Sequence, residues 1–184
     1  LNAVYFHSSP YTSEAAKQKV IDLATILSEY QGNSIDLFVV PFTDIQKSIQ
    51  KDCFESYATV FGRRYMVKIA NIIAKRTQSA GLVTGDSIGQ VSSQTLDNIA
   101  SIEAASELPI IRPLIAMDKI ETIKISKEIK AFDISIRPFD DCCVLFAPKN
   151  PVTKSKLEVI LSEETKLSET ELIENAVKNT QLLM

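Results

Sequence analysis

The chain has 184 residues, 45% of them apolar and 23% charged, which is the profile of one globular domain able to bury a core. A formal net charge of −3 excludes a protein that coats nucleic acid with its whole surface, while leaving local basic patches open. No apolar run reaches the roughly 18 residues a membrane span needs, so no membrane partner is expected. The first residues are neither basic nor signal-like and read as the middle of a protein. The cysteines are Cys53, Cys142 and Cys143. An odd number with two adjacent is no disulfide framework and fits a reducing, cytoplasmic setting.

In chain order, residues 2–7 (NAVYFH) form a short β-rich run closed by Ser8-Ser9-Pro10. From residue 13 the pattern turns helical, with Ala16, Val20, Leu23, Ala24, Leu27 and Tyr30 three or four apart. Thr12 or Ser13 is the N-cap, and Gly32-Asn33 the stop. Residues 35–41 (IDLFVVP) are a second strand, 43–53 a short amphipathic helix, and 56–79 a longer one with a break expected near Gly62. A strand at 81–83 and a helix to about Ser106 follow, then a strand at 109–114 and a helix at 119–132 with Ile120, Ile123, Ile125 and Ile129 toward its buried side. Strands alternating with helices predict a parallel sheet covered on both faces, over residues 1–150. After the break at Asn150-Pro151, the Glu-rich segments 154–166 and 168–183 predict a helical tail, residues 151–184, packed on the same domain.

The organising stretch is Gly81 to Thr95, GLVTGDSIGQVSSQT. A buried strand end runs into a turn with Gly85 and Gly89, and Ser92 or Ser93 caps a helix starting near Gln94. Strand, glycine turn and capped helix can present backbone N–H groups to an anion, at the carboxyl end of a strand. The plain alternative is ordinary turn chemistry.

Other residues carry similar pairs of readings. His7, the sole histidine, fits a hydrogen-bonded structural role at a strand end, and without a second ligand it does not predict zinc. Arg63, Arg64, Lys68, Lys75 and Arg76 have no acid among them between Ser56 and Gly85; they are a solvated face or a set of phosphate contacts. Lys119 follows Asp118, an N-cap candidate, at a helix start where the dipole disfavours a cation. Asp140 and Asp141 beside Cys142 disfavour a thiolate, so local sequence alone predicts an inert thiol.

GDSIGQVSSQT resembles the signature of the tRNA 4-thiouridine synthetase family, also called the thiamine-biosynthesis sulfurtransferases. VYFHSSPYTSEAAKQKV (residues 4–20), PLIAMDK (113–119) and PFDDCCVLFAP (138–148) agree with it in the family's order. The resemblance implies a three-layer α/β domain of the PP-loop ATP pyrophosphatase type. The family's SGGxDS phosphate loop is not in the sequence, so the domain is expected to lack its first strand and that loop, and the chain alone to be inactive. The resemblance also implies ATP with magnesium, tRNA as substrate, a cysteine desulfurase as persulfide donor, and formation of 4-thiouridine by adenylation and sulfur transfer, with sulfur also supplied for thiamine. A homodimer is left open. By resemblance, Phe6 and His7 border the adenine nucleotide, Arg63, Gly85 and Gln94 contact ATP, Lys119 faces the triphosphate, and Cys142 carries sulfur, with Cys143 the lesser partner. The rival reading is a non-catalytic module that binds tRNA or a protein.

Overall fold

A computed structural model describes residues 1–139, 142 and 146–183. Its elements are β1 (Asn2–His7), α1 (Glu14–Gln31), β2 (Asp36–Pro41), α2 (Thr43–Asp52), α3 (Ala58–Arg76), β3 (Leu82–Val83), α4 (Leu96–Glu103), β4 (Ile110–Ile111), α5 (Lys119–Glu128), α6 (Phe132–Ser135), α7 (Leu157–Glu164), α8 (Glu169–Lys178) and β5 (Gln181–Leu182). Short 3-10 turns lie at Glu55–Tyr57 and Ser92–Gln94. The alternation is the expected α/β fold with parallel strands and a helical C-terminal region. The chain divides into two compact units. One holds residues 1–43, 117–145 and 179–184; the other holds 44–116 and 146–178.

In the first unit, β1 and β2 pair in parallel from Asn2↔Asp36 to His7↔Pro41. β5 closes the other side of β2 in antiparallel register, Phe38↔Leu182. Tyr5, Leu37 and Val39 meet α1 at Val20, Ile21 and Ala24 to form the core. Ser13 caps α1 by accepting from the Ala16 N–H at 3.2 Å. Gly32, at φ 77°, ends it by donating its N–H to the Ser28 carbonyl, a conformation in which a side chain is strained. The predicted stripe is buried only in part: Leu27 and Tyr30 are exposed.

The helix expected at 119–132 ends at Glu128, where Lys130 takes a positive φ, and α6 follows. Ile120 is 77% exposed and Ile125 is also exposed, against expectation. At 100° per residue, Ile120 and Ile123 point to one side of the helix and Ile125 and Ile129 to the other, so no single face gathers them.

In the second unit, α3 runs through Gly62 without the expected break. A glycine costs a helix about 1 kcal/mol. Phe61 and Tyr65, fully buried on either side of it, gain more than that. β3 and β4 pair in parallel, Leu82↔Ile110 and Val83↔Ile111. Only two residues of the expected strand at 109–114 pair, because the chain turns at Arg112, whose carbonyl accepts from Ile115 N–H. The tail is tied in by Asn98, whose buried amide donates to the Ser92 and Val152 carbonyls, both at 2.8 Å, and accepts from Ser155 N–H at 3.1 Å. The last helix ends at Lys178, not near 183; the residues beyond it supply β5.

Candidate nucleotide site

The parallel strands β3 and β4 deliver their carboxyl ends to one loop, 84–95. The Thr84 N–H donates to the Ile111 carbonyl at 3.0 Å and the Ile88 N–H to the Ile115 carbonyl at 3.1 Å, pinning the loop to the segment after β4. Gly89 turns it at φ 77° and donates to the Gln94 carbonyl at 3.0 Å. Neither Ser92 nor Ser93 caps the following helix. Thr95 does, accepting from the Asn98 N–H at 3.3 Å and donating to the Thr153 carbonyl at 2.6 Å. The Ser93 hydroxyl instead accepts from Arg63 Nη1 at 3.4 Å, and the Ser92 backbone carbonyl takes the Asn98 amide. Gln94 therefore lies in the 3-10 turn before α4 and not in the helix's first turn.

At the centre of the loop is Asp86, 2% exposed. It accepts from Thr84 Oγ1 at 2.7 Å, from Arg112 Nε at 3.3 Å and from Arg63 Nη2. Burial alone would push its carboxyl up; the Arg63 charge and these donors outweigh that and hold it below its ordinary value, so it is ionised at neutral pH. Arg112 is held on its other side by Glu103 at 2.8 Å. Arg63, reaching in from α3, is thereby brought to the loop that carries Gly85 and Gln94.

Gly85 adopts no positive φ, and no atom lies within 4 Å of where its Cβ would stand. Neither backbone strain nor packing among the described residues demands glycine there, and the space beside its backbone is open. Gln94 is half-buried, and its side-chain amide makes no hydrogen bond among the described residues. An arginine with a fixed fork, an open glycine and an uncommitted amide fit a phosphorylated nucleotide.

The other expected residues lie in the first unit. Phe6 packs edge-on to Phe42 with ring centroids 5.1 Å apart. His7 is buried: Thr12 Oγ1 accepts from the Ser8 N–H at 3.0 Å and lies 3.0 Å from His7 Nδ1. The Thr12 hydroxyl keeps a proton and a second lone pair for Nδ1, and the other ring nitrogen, Nε2, faces Glu14 at 3.8 Å. Burial lowers the His7 pKa, Glu14 opposing and Lys17 adding to it, so the ring is neutral at pH 7. Lys119 is exposed at the first position of α5. Asp118 and Glu121 form a reciprocal capping box there, so both carboxylates are engaged with backbone N–H groups. Lys119 makes no ion pair among the described residues. Cys142 is buried at 5% exposure. Asp140, Asp141 and Cys143 lie outside the described residues.

Besides Arg63 on Asp86, three more of the five basic residues read as a solvated or phosphate-binding face have acids from distant segments. Arg64 is buried, with Nε to Glu164 Oε1 at 2.8 Å and Nη2 to Oε2 at 3.0 Å. Lys68 pairs with Glu169 at 2.6 Å and Glu164 at 3.2 Å, and Lys75 with Glu107 at 2.5 Å. No acid lies among them in sequence, but the tail supplies it to Arg64 and Lys68, and Glu107 to Lys75. Cys53 is half-buried, its thiol pushed up to about 11 by burial and by Glu163 above all, so it stays protonated. Sequence reading passed over Asp86 as a ligand and missed Arg112 altogether. An aspartate between two glycines looks like turn chemistry, and nothing local joins it to an arginine 26 residues away.

An α/β domain whose strand ends carry an arginine-gripping loop belongs among nucleotide-handling folds. Residues 1–168 match the model of the thiamine biosynthesis protein (ThiI) family, and the chain belongs to that family. It is 50% identical over 183 residues to a probable tRNA sulfurtransferase of Coxiella burnetii, covering 100% of this chain and 46% of that protein. It is 49% identical over 175 residues to a protein of the same description from a Thermoanaerobacter species, covering 95% of this chain and 46% of that one. Among solved structures, a crystal structure of a 4-thiouridine synthetase–RNA complex with bound ATP matches with a TM-score of 0.93 and 39% identity, over 99% of this chain and 48% of the other. The chain spans about half the length of the relatives it matches.

Proposed function

We infer that this chain is the catalytic α/β portion of an ATP-dependent tRNA sulfurtransferase that makes 4-thiouridine. The observation that carries the reading is the match, over nearly the whole chain, to a 4-thiouridine synthetase described with RNA and ATP. Arg63, Gly85 and Gln94 support ATP binding: a guanidinium for phosphate, an open backbone for close approach, and an amide for ribose or base. Phe6 and His7 border the adenine, with the His7 ring structural and the strand end supplying the contact.

ATP, entering as its magnesium complex, adenylates the C4 oxygen of a tRNA uridine and releases pyrophosphate. Lys119 offsets charge on the triphosphate during that transfer. The outer sulfur of a persulfide on Cys142, drawn from a cysteine desulfurase, then attacks C4 and displaces AMP. A second thiol cleaves the resulting S–S bond, releasing 4-thiouridine and leaving a disulfide with Cys142 that an external thiol reductant reopens. The same relay supplies sulfur for the thiazole of thiamine, in the cytoplasm. The test is full-length protein assayed for tRNA-dependent release of AMP and pyrophosphate in parallel with thionucleoside content of the tRNA. Release of both with 4-thiouridine formed is expected; tRNA binding without ATP consumption would instead mark a binding module.

A further inference from the structure

We propose that Asp86 is a positioning residue for nucleotide binding, acting through Arg63: its buried carboxylate fixes the guanidinium so that the rest of the fork faces a phosphate. The proposal rests on the ATP reading above and adds to it a residue that does not itself touch the nucleotide.

The geometry distinguishes this from a simple interior ion pair. Asp86 spends one oxygen on Arg63 Nη2, and the other on Thr84 Oγ1 and Arg112 Nε. A carboxylate that accepts three donors from three segments cannot swing to follow a mobile arginine. Ser93 holds Arg63 by its second terminal nitrogen, Nη1, at 3.4 Å. Both grips lie on the terminal nitrogens, and Nε makes no hydrogen bond among the described residues.

The side chain of Arg63 remains 21% accessible, whereas that of Asp86 is 3% accessible. The charges are also unevenly shared. Arg112 has a second acid, Glu103, but among the described residues Arg63 has Asp86 alone and shares it with Arg112. The two guanidiniums and the two carboxylates, Asp86 and Glu103, balance in number, but Glu103 serves Arg112, so Arg63 is left with a shared carboxylate beside Gly85, whose Cβ direction is open. An anion at that place meets a partly accessible guanidinium whose carboxylate is shared, and a pre-oriented fork loses less freedom on meeting it.

The experiment is a double-mutant cycle on full-length protein, reading ATP dissociation constants by calorimetry and the folded state by thermal melting. Arg63→Ala and Asp86→Asn are each expected to weaken ATP at least about tenfold. The double variant should be no weaker than Arg63→Ala within about twofold, because Asp86 acts only through the arginine. Asp86→Glu should restore part of the loss. Thr84→Val removes only the hydroxyl steadying the same carboxylate. It should give a smaller loss that likewise vanishes without Arg63, and it decides the question if Asp86→Asn fails to fold. A loss from Asp86→Asn that repeats undiminished in the Arg63→Ala background would overturn the proposal, as would wild-type affinity in Asp86→Asn. If wild type binds ATP and Arg63→Ala binds it equally well, the positioning role falls while the ATP reading stands. If wild type binds no ATP, the reading falls and takes the proposal with it.

Discussion

Removing the Glu164 carboxylate should be among the most destabilising single changes in the second unit. Arg64 is 2% exposed and makes a two-pronged contact with that carboxylate, at 2.8 and 3.0 Å. Glu164→Ala leaves a guanidinium buried with the Ser101 carbonyl as its remaining acceptor. Lys68 is less affected, because it keeps Glu169 at 2.6 Å. Stranding one member of a buried pair costs about 3–5 kcal/mol, whereas losing an exposed pair costs under about 1 kcal/mol. At roughly 2–4 °C per kcal/mol for a chain of this size, the melting temperature should fall by about 6–20 °C. Replacing both partners, Arg64→Met with Glu164→Leu, should recover most of that loss, because the pair's own attraction is largely spent on desolvation. Thermal and urea melts followed by circular dichroism measure both variants. A loss below about 1 kcal/mol for Glu164→Ala would refute the view that the pair is desolvated.

Cys142→Ser in full-length protein is expected to keep tRNA-dependent pyrophosphate release on the first turnover and to form no 4-thiouridine; normal thionucleoside levels, read by nucleoside analysis, would remove Cys142 from the relay. Lys119→Met, exposed and outside any core, should leave the melting temperature within about 1–2 °C while lowering tRNA-dependent ATP turnover at least about tenfold; unchanged turnover would retire it. For acid stability, the carboxyls of Asp86 and Glu164 both lie below their ordinary values, burial opposing and their cationic partners prevailing. Their folded values are below their unfolded ones, so the stability they lend is full above about pH 5 and drains as pH falls further. His7, lowered from 6.5, adds an earlier, smaller loss beginning as pH falls through that value. Melting temperatures from pH 8 to 3 should show both onsets, and His7→Asn should remove the first.

What the sequence made legible follows the reach of each interaction. Ser13 and Gly32 bound α1 through contacts within four residues, and both were readable from residue type. The α4 cap was misplaced by two or three residues because Ser92, Ser93 and Thr95 are all competent caps. The choice was made by Arg63, which takes Ser93, and by Thr153, whose carbonyl takes the Thr95 hydroxyl. The isoleucines of α5 misled because the eye accepts spacings of three, two and four as helical, although their angles straddle the helix. Arg63 was found by resemblance, but its anchor was not. A buried aspartate announces itself only when its arginines are brought to it from 23 and 26 residues away.

The pairing of Arg64 with Glu164 also has a meaning in time. The two residues are 100 positions apart, and chains are synthesised at about 5–20 residues per second. The arginine at the heart of α3 is therefore synthesised about 5–20 seconds before its carboxylate exists. Until then α3 cannot settle its most buried charged side chain and must keep that face wet or borrow an acid from elsewhere. The same wait applies to Asn98, whose Val152 and Ser155 partners arrive 54 and 57 residues later. Compaction of the second unit is thus gated by arrival of the tail, and a nascent chain stalled before Glu164 would present α3 in its unfinished form to whatever binds incomplete proteins.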